Sequence, residues 1–137
     1  MSKTVGITFS AFDLLHAGHI AMLKEARDMC DYLIVGLHVD PSVERSNKNK
    51  PIQSVFERYV QLRGCRYVDE IIPYATESEV VDILLTYKIN YRFIGEEYRD
   101  IDFTGKELCN KNGISIIYNH RKHTFSSSEL RKRIQTK

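Results

Sequence analysis

Five short apolar runs punctuate the chain: "TVGITF" (Thr4 to Phe9), "YLIVGLHV" (Tyr32 to Val39), "VDEIIP" (Val68 to Pro73), "YRFIGE" (Tyr91 to Glu96) and "ISIIYN" (Ile114 to Asn119). Short, β-branched runs of this kind predict strands that are mostly buried on both faces. Between them the apolar positions change to helical spacing: Ile20, Leu23, Ala26 and Cys30, then Val55, Tyr59 and Leu62, then Val80, Leu84 and Tyr87. Strand and helix therefore alternate, which predicts an α/β domain with a doubly wound, parallel, five-stranded sheet and helices on both of its faces.

Helix starts sharpen this outline. A Ser or Thr followed three places later by Glu allows two side chains to satisfy each other's orphan backbone N–H groups. The pattern occurs at Ser54/Glu57, Thr76/Glu79, Thr104/Glu107 and Ser126/Glu129, each where a helix is due. The first helix has no such box: its start reads "FDLLHAGH", residues 12 to 19. Its free N–H groups and the positive end of its dipole are thus expected to lack a side-chain partner. In an open parallel sheet the carboxyl ends of strands hold the ligand, and a helix N-terminus there is a ready anion site.

Length and composition narrow the class. The chain has 137 residues, 42% of them apolar, enough for one domain spanning residues 1–137. No apolar stretch is long enough to span a bilayer, and "MSKTVGITF" lacks the layout of a secretory signal, so a soluble, cytoplasmic protein without membrane partners is expected. Cys30, Cys65 and Cys109 are odd in number and far apart, which suggests neither a disulfide framework nor a zinc site. From Asn119 onward, six Lys or Arg stand against one acid, Glu129, a local charge of +5 within a total of +2. Such an end can meet nucleic acid, meet a smaller phosphate ligand, or remain a solvated face.

His16 and His19 lie three apart at a strand-to-helix turn, and Gly18 between them permits close backbone approach. Imidazoles donate hydrogen bonds to phosphate oxygens, so the pair suits a polyphosphate. Core packing of one ring is the plain alternative. Metal binding is a weaker third, since two histidines without a third ligand make a poor site, and no metal ligand is assigned.

"FDLLHAGHIAMLKEA" resembles the HxGH region of the cytidylyltransferase-like nucleotidyltransferases, and within them the bacterial glycerol-3-phosphate cytidylyltransferases. "DYLIVGLHVD", "RYVDEIIP", "FIGEEY" and "RKHTFSSS" are similar to further segments of that family, so the likeness covers almost the whole chain. The resemblance implies a Rossmann-like fold and transfer of CMP from CTP to a small phosphorylated alcohol such as glycerol 3-phosphate, releasing pyrophosphate without a covalent intermediate. By the same likeness His16, His19, Lys50 and Arg121 would act on the reacting phosphates, with Lys48 as substitute for Lys50 if the loop register differs. Phe9, Ser10, Ala11, Phe12, Asp13, Gly18, Arg58, Gly95, Glu96, Ser126 and Ser127 would line the nucleotide, with Glu97 beside Glu96. Arg58 is expected to face the site.

Asp13 is read either as an Asx-type turn former or as a group that orients a histidine or helps place Mg²⁺; the ion itself is expected mainly on the nucleotide. Ser126 is expected to cap the last helix, with Ser127 and Ser128 in its first turn and Arg131, Lys132 and Arg133 on a solvated face. A homodimer is implied as well, with Arg66 and Asp69 paired across its two-fold axis. Two departures bear on substrate choice. "SAFD" lacks the glycine that the family carries before its motif, and Lys122, His123, Thr124 and Phe125 replace its Thr-Glu-Gly-Ile stretch. An ATP-dependent adenylyltransferase and a non-catalytic nucleotide- or nucleic-acid-binding module are the alternatives, with nucleic acid disfavoured by the absence of aromatics interleaved on a basic sheet face.

Overall fold

The computed structural model describes residues 3–120 and 127–136. Each apolar run forms a strand, and the elements follow as β1 (Val5–Ser10), α1 (Ala17–Asp28), β2 (Tyr32–His38), α2 (Val55–Arg63), β3 (Glu70–Tyr74) and α3 (Glu77–Thr86). Then come β4 (Tyr91–Gly95), a 3-10 turn (Glu96–Tyr98), α4 (Lys106–Lys111), β5 (Ser115–Asn119) and α5 (Ser127–Gln135). All strand pairs are parallel and the sheet order is β3-β2-β1-β4-β5. The order reverses beside β1, which places a crevice at its carboxyl end.

Burial on both faces explains why the runs are continuous rather than alternating. Leu33, Val35 and Leu37 of β2 join Leu23 and Ala26 of α1 and Leu62 of α2 in one cluster. Ile34, pointing the other way, packs with Val80, Ile83 and Leu84 of α3 and Cys109 of α4. Gly36 interrupts that second face for a steric reason: a Cβ there would stand 2.3 Å from Cδ1 of Phe9, whose ring crosses the strand at this point. The three cysteines are free and buried. No helix among the described residues is long and apolar enough to cross a membrane.

The helix starts divide instructively. Ser54 and Glu57 form the expected reciprocal box, with Ser54 N donating to Glu57 Oε1 at 2.8 Å and Glu57 N to Ser54 Oγ at 3.1 Å. Thr76 takes the N-cap position of α3 without a side-chain cap bond; instead its hydroxyl meets Glu79 Oε1 at 3.3 Å. Thr104 is not a cap. α4 begins two residues later behind Gly105, whose φ of 83° is left-handed, and Glu107 pairs along the helix with Lys111. Ser126 lies outside the described residues.

Asp69 is engaged within its own chain. Its Oδ2 accepts from Arg27 Nε and from Leu33 N, both at 2.8 Å, tying the end of α1 to the entrance of β2. The pairing with Arg66 is expected across a two-fold axis, and a single chain does not test it.

Candidate active site

A cavity of about 490 Å³ opens where the strands end. β1 contributes Thr8, Phe9 and Ser10, followed by Ala11; the start of α1 contributes His16, Gly18 and His19. His38 comes from the end of β2, Arg45 and Lys48 from the loop after it, and Tyr74 from β3. Glu77 and Val80 come from α3, Arg92, Phe93 and Gly95 from β4, Glu97 and Tyr98 from the turn after it, and Phe103, Thr104, Asn119, His120 and Ser128 of α5 also line the wall.

The histidine pair caps the helix that it begins. His16 is the N-cap of α1: its Nδ1 accepts from Gly18 N at 3.0 Å, while His19 Nδ1 accepts from His16 N at 3.3 Å. This corrects the expectation of an uncapped start. An imidazole Nδ1 sits at about the reach of a Ser hydroxyl or a Glu carboxylate, so H-x-x-H can serve as S-x-x-E does. The rings stack with centroids 4.0 Å apart. Because both Nδ1 atoms accept, each ring carries its proton on Nε2, and both rings enter the cavity wall as hydrogen-bond donors in a set tautomer. Upstream, Phe12 and Leu14 adopt left-handed φ values of 49° and 53°, uncommon for residues with side chains. Burial of the Phe12 ring and the bond from Leu14 N to Gln53 Oε1, 2.8 Å, hold that bend.

Beneath the motif lies a polar brace. Asp13 accepts from Ile52 N at 2.9 Å and Gln53 N at 3.0 Å, and pairs with Arg131 Nη2 at 2.7 Å. Arg131 therefore leaves the solvated face expected of it and fastens α5 to the loop before the HxGH motif. Burial alone would raise the Asp13 carboxyl, but the Gln53 and Ile52 amides and Arg131 together hold it below the usual aspartate range. A depressed carboxyl stabilises the fold above its unfolded value, near pH 4, and loses that contribution as pH falls further. Thermal melts between about pH 6 and pH 3 should accordingly show a steeper loss for the wild type than for Asp13→Asn; parallel curves would remove Asp13 from the acid response.

Arg58 is buried at 2% exposure and is given over to backbone. Its Nη1 donates to Ala11 O at 2.9 Å and His38 O at 2.7 Å, Nη2 to Val39 O at 2.6 Å, and Nε to Gln53 O and Ser54 O. It holds together the exits of β1 and β2 and the entrance of α2. The expectation that it faces the ligand is corrected: five carbonyl oxygens converge on the guanidinium from behind the wall, and it acts as a positioning residue.

With this geometry the comparisons agree. The model of the family described as "Cytidylyltransferase-like" matches residues 7–133, from β1 into α5. The chain belongs to the cytidylyltransferase-like family. A probable ethanolamine-phosphate cytidylyltransferase of Encephalitozoon cuniculi (strain GB-M1) is 40% identical over 114 residues, covering 80% of this chain but only 31% of that protein. The glycerol-3-phosphate cytidylyltransferase of Staphylococcus aureus (strain NCTC 8325 / PS 47) is 31% identical over 132 residues, covering 96% of this chain and 95% of the relative. Among solved structures, the lipopolysaccharide core biosynthesis protein of Thermoplasma volcanium GSS1 superposes with a TM-score of 0.71 at 27% identity, over 89% of this chain and 100% of that one.

In this cytidylyltransferase-like chain the expected residues separate into two groups. His16, His19, Gly18, Phe9, Ser10, Ala11 and Gly95 gather on the cavity wall. Phe12 and Asp13 stand behind the wall as supports. Lys48 lies on the wall, and Lys50 is not among the residues that line it. Glu96 turns to His120, with Oε2 at 2.6 Å from Nδ1, and its neighbour Glu97 in the same 3-10 turn lines the cavity instead. Arg121 and Ser126, with Lys122 and His123, lie outside the described residues, as does the Ser127 side chain. Among the wall residues that were not anticipated are His38, Tyr74, Arg92 and Asn119, each 5% exposed or less. A polar side chain inside an otherwise apolar strand run was the available signal for His38 and Arg92.

Proposed function

We propose that this chain transfers a cytidylyl group from CTP to the phosphate of a small phosphorylated alcohol, with pyrophosphate as the second product. The observation that carries the reading is the His16–His19 pair, two imidazoles stacked at 4.0 Å whose Nδ1 atoms accept from backbone and whose side chains line the cavity at a helix N-terminus. Donors held in this way stabilise charge as it builds on a reacting phosphate without reorganising at that moment. An oxygen of the acceptor phosphate attacks the α-phosphorus, the bond to the bridging oxygen of the β-phosphate breaks, and pyrophosphate leaves with that electron pair. Lys48 and Arg45 on the wall supply positive charge for the triphosphate, and Arg45 is held in place by Glu77. The names of the two relatives support a phosphorylated alcohol as acceptor.

Mg²⁺ fits this reading as a companion of the nucleotide. Among the described residues no three His, Cys, Asp or Glu side chains group as a metal cage, and Asp13 is engaged by two amides and Arg131. The ion would sit on triphosphate oxygens and neutralise part of their charge.

The test is pyrophosphate release with Mg²⁺, each of the four nucleoside triphosphates, and glycerol 3-phosphate or ethanolamine phosphate. CTP is expected to give turnover. Turnover with ATP in its place would make the protein an adenylyltransferase, and no turnover with any pair would defeat the transferase reading.

A further inference from the structure

One side of the cavity holds a cation that no carboxylate pairs with among the described residues, although Glu77, taken up by Arg45, and Glu97 line the same cavity. Arg92, in the middle of β4, is 5% exposed and forms part of the wall. Its guanidinium lies over two aromatic rings, with the central carbon 5.0 Å from the Phe9 ring centroid and 4.9 Å from that of Phe103. Nη1 donates to the Thr104 carbonyl, while Nε has no hydrogen-bond partner. The groups that act on it electrostatically are Cys109, Tyr74 and Tyr118, a thiol and two phenols; no carboxylate pairs with it among the described residues. A cation buried without an anion is costly, and ring faces offset only part of that cost.

Arg92 also belongs to the α3–α4 side of the sheet, where Tyr74 feels both it and Arg45. It touches the layer formed by Leu84 and Cys109, on the sheet face opposite to Phe12, against which His19 rests. The same cavity carries two more buried polar atoms without partners, His38 Nε2 and Asn119 Oδ1. Three such atoms around one cavity indicate a polar ligand rather than a packing accident. A guanidinium in a cavity wall can pair with a carboxylate through two parallel N–H groups. Asn119 Oδ1, an acceptor, suits a hydroxyl.

We propose that Arg92 makes this side of the cavity a carboxylate subsite, and that the acceptor is a phosphorylated hydroxy acid rather than a phosphorylated amine. The inference rests on the transferase reading above and narrows its substrate class. The ammonium of ethanolamine phosphate would be repelled here, and the neutral end of glycerol 3-phosphate would leave the cation unpaired.

The wild-type protein with CTP and Mg²⁺ tests this directly through kcat/KM for 2-phosphoglycerate, 3-phosphoglycerate and 6-phosphogluconate against glycerol 3-phosphate and ethanolamine phosphate. At least one carboxylate-bearing acceptor is expected to exceed glycerol 3-phosphate by about tenfold or more, with ethanolamine phosphate last. A ranking in which glycerol 3-phosphate or ethanolamine phosphate equals or beats every acid overturns the subsite. In Arg92→Met the ratio of acid to glycerol 3-phosphate should collapse by about tenfold, and Arg92→Lys should restore part of it; an unchanged ratio overturns the role of Arg92. If Arg92→Met does not fold, the wild-type ranking decides alone. Should no acceptor turn over, the transferase reading fails, and calorimetric titration of the same five compounds decides the subsite: tighter binding of an acid supports it, equal or weaker binding ends it.

Discussion

Replacing His16 with alanine is expected to lower turnover by about two to three orders of magnitude, the scale found when one preorganised donor to a reacting oxyanion is removed. The same change should also weaken the fold, because His16 Nδ1 accepts from Gly18 N at the first turn of α1. Loss of such a cap costs about 1 kcal/mol. Alanine therefore confounds two effects, and asparagine separates them. Asn is among the best N-cap residues and its Oδ1 can take the Gly18 amide, but it places no N–H where the imidazole Nε2 stands. His16→Asn should recover most of the denaturation midpoint and almost none of the rate. If its pyrophosphate release matched the wild type, the histidine would be a cap and nothing more.

A larger loss of stability is expected at Arg58. Its guanidinium satisfies carbonyls of Ala11, His38, Val39, Gln53 and Ser54, gathered from three separate chain segments. Arg58→Met keeps much of the volume but strands those oxygens away from water, at a total cost of about 3–5 kcal/mol. Arg58→Lys should rescue little, since a single ammonium cannot span acceptors that a planar fork holds apart. Urea unfolding would report the loss, and a destabilisation below about 1 kcal/mol would show that the segments hold together without the arginine. Because Ala11 and His38 belong to the cavity wall, any folded fraction of the variant should also bind nucleotide more weakly.

The sheet was legible because strands buried on both faces leave continuous apolar runs, and the five runs met their strands within two residues at either end. Capping was legible where the family of caps was the ordinary one, as at Ser54. It failed at "HAGH", where imidazoles replace a hydroxyl and a carboxylate, and at Thr104, where the left-handed Gly105 moved the helix start. The motif residues of the site were readable from chemistry and spacing. Their supports were not: whether Arg58 faces inward or outward depends on which backbone oxygens are left without partners, and that is settled only when β1, β2 and α2 meet. Arg92 was hidden for the opposite reason, being read as part of an apolar strand that its charge contradicts.

The wall of the cavity draws on residues from Thr8 to Ser128, and the brace behind it joins Asp13 to Arg131. Every strand pairing in between is parallel, so none of it can be closed by a local hairpin. On a ribosome, the segment bearing "HAGH" must therefore wait for nearly all the rest of the sequence before its surroundings exist. Activity should arrive during synthesis in one late step, and a nascent chain halted before Arg131 should carry the motif without the enzyme.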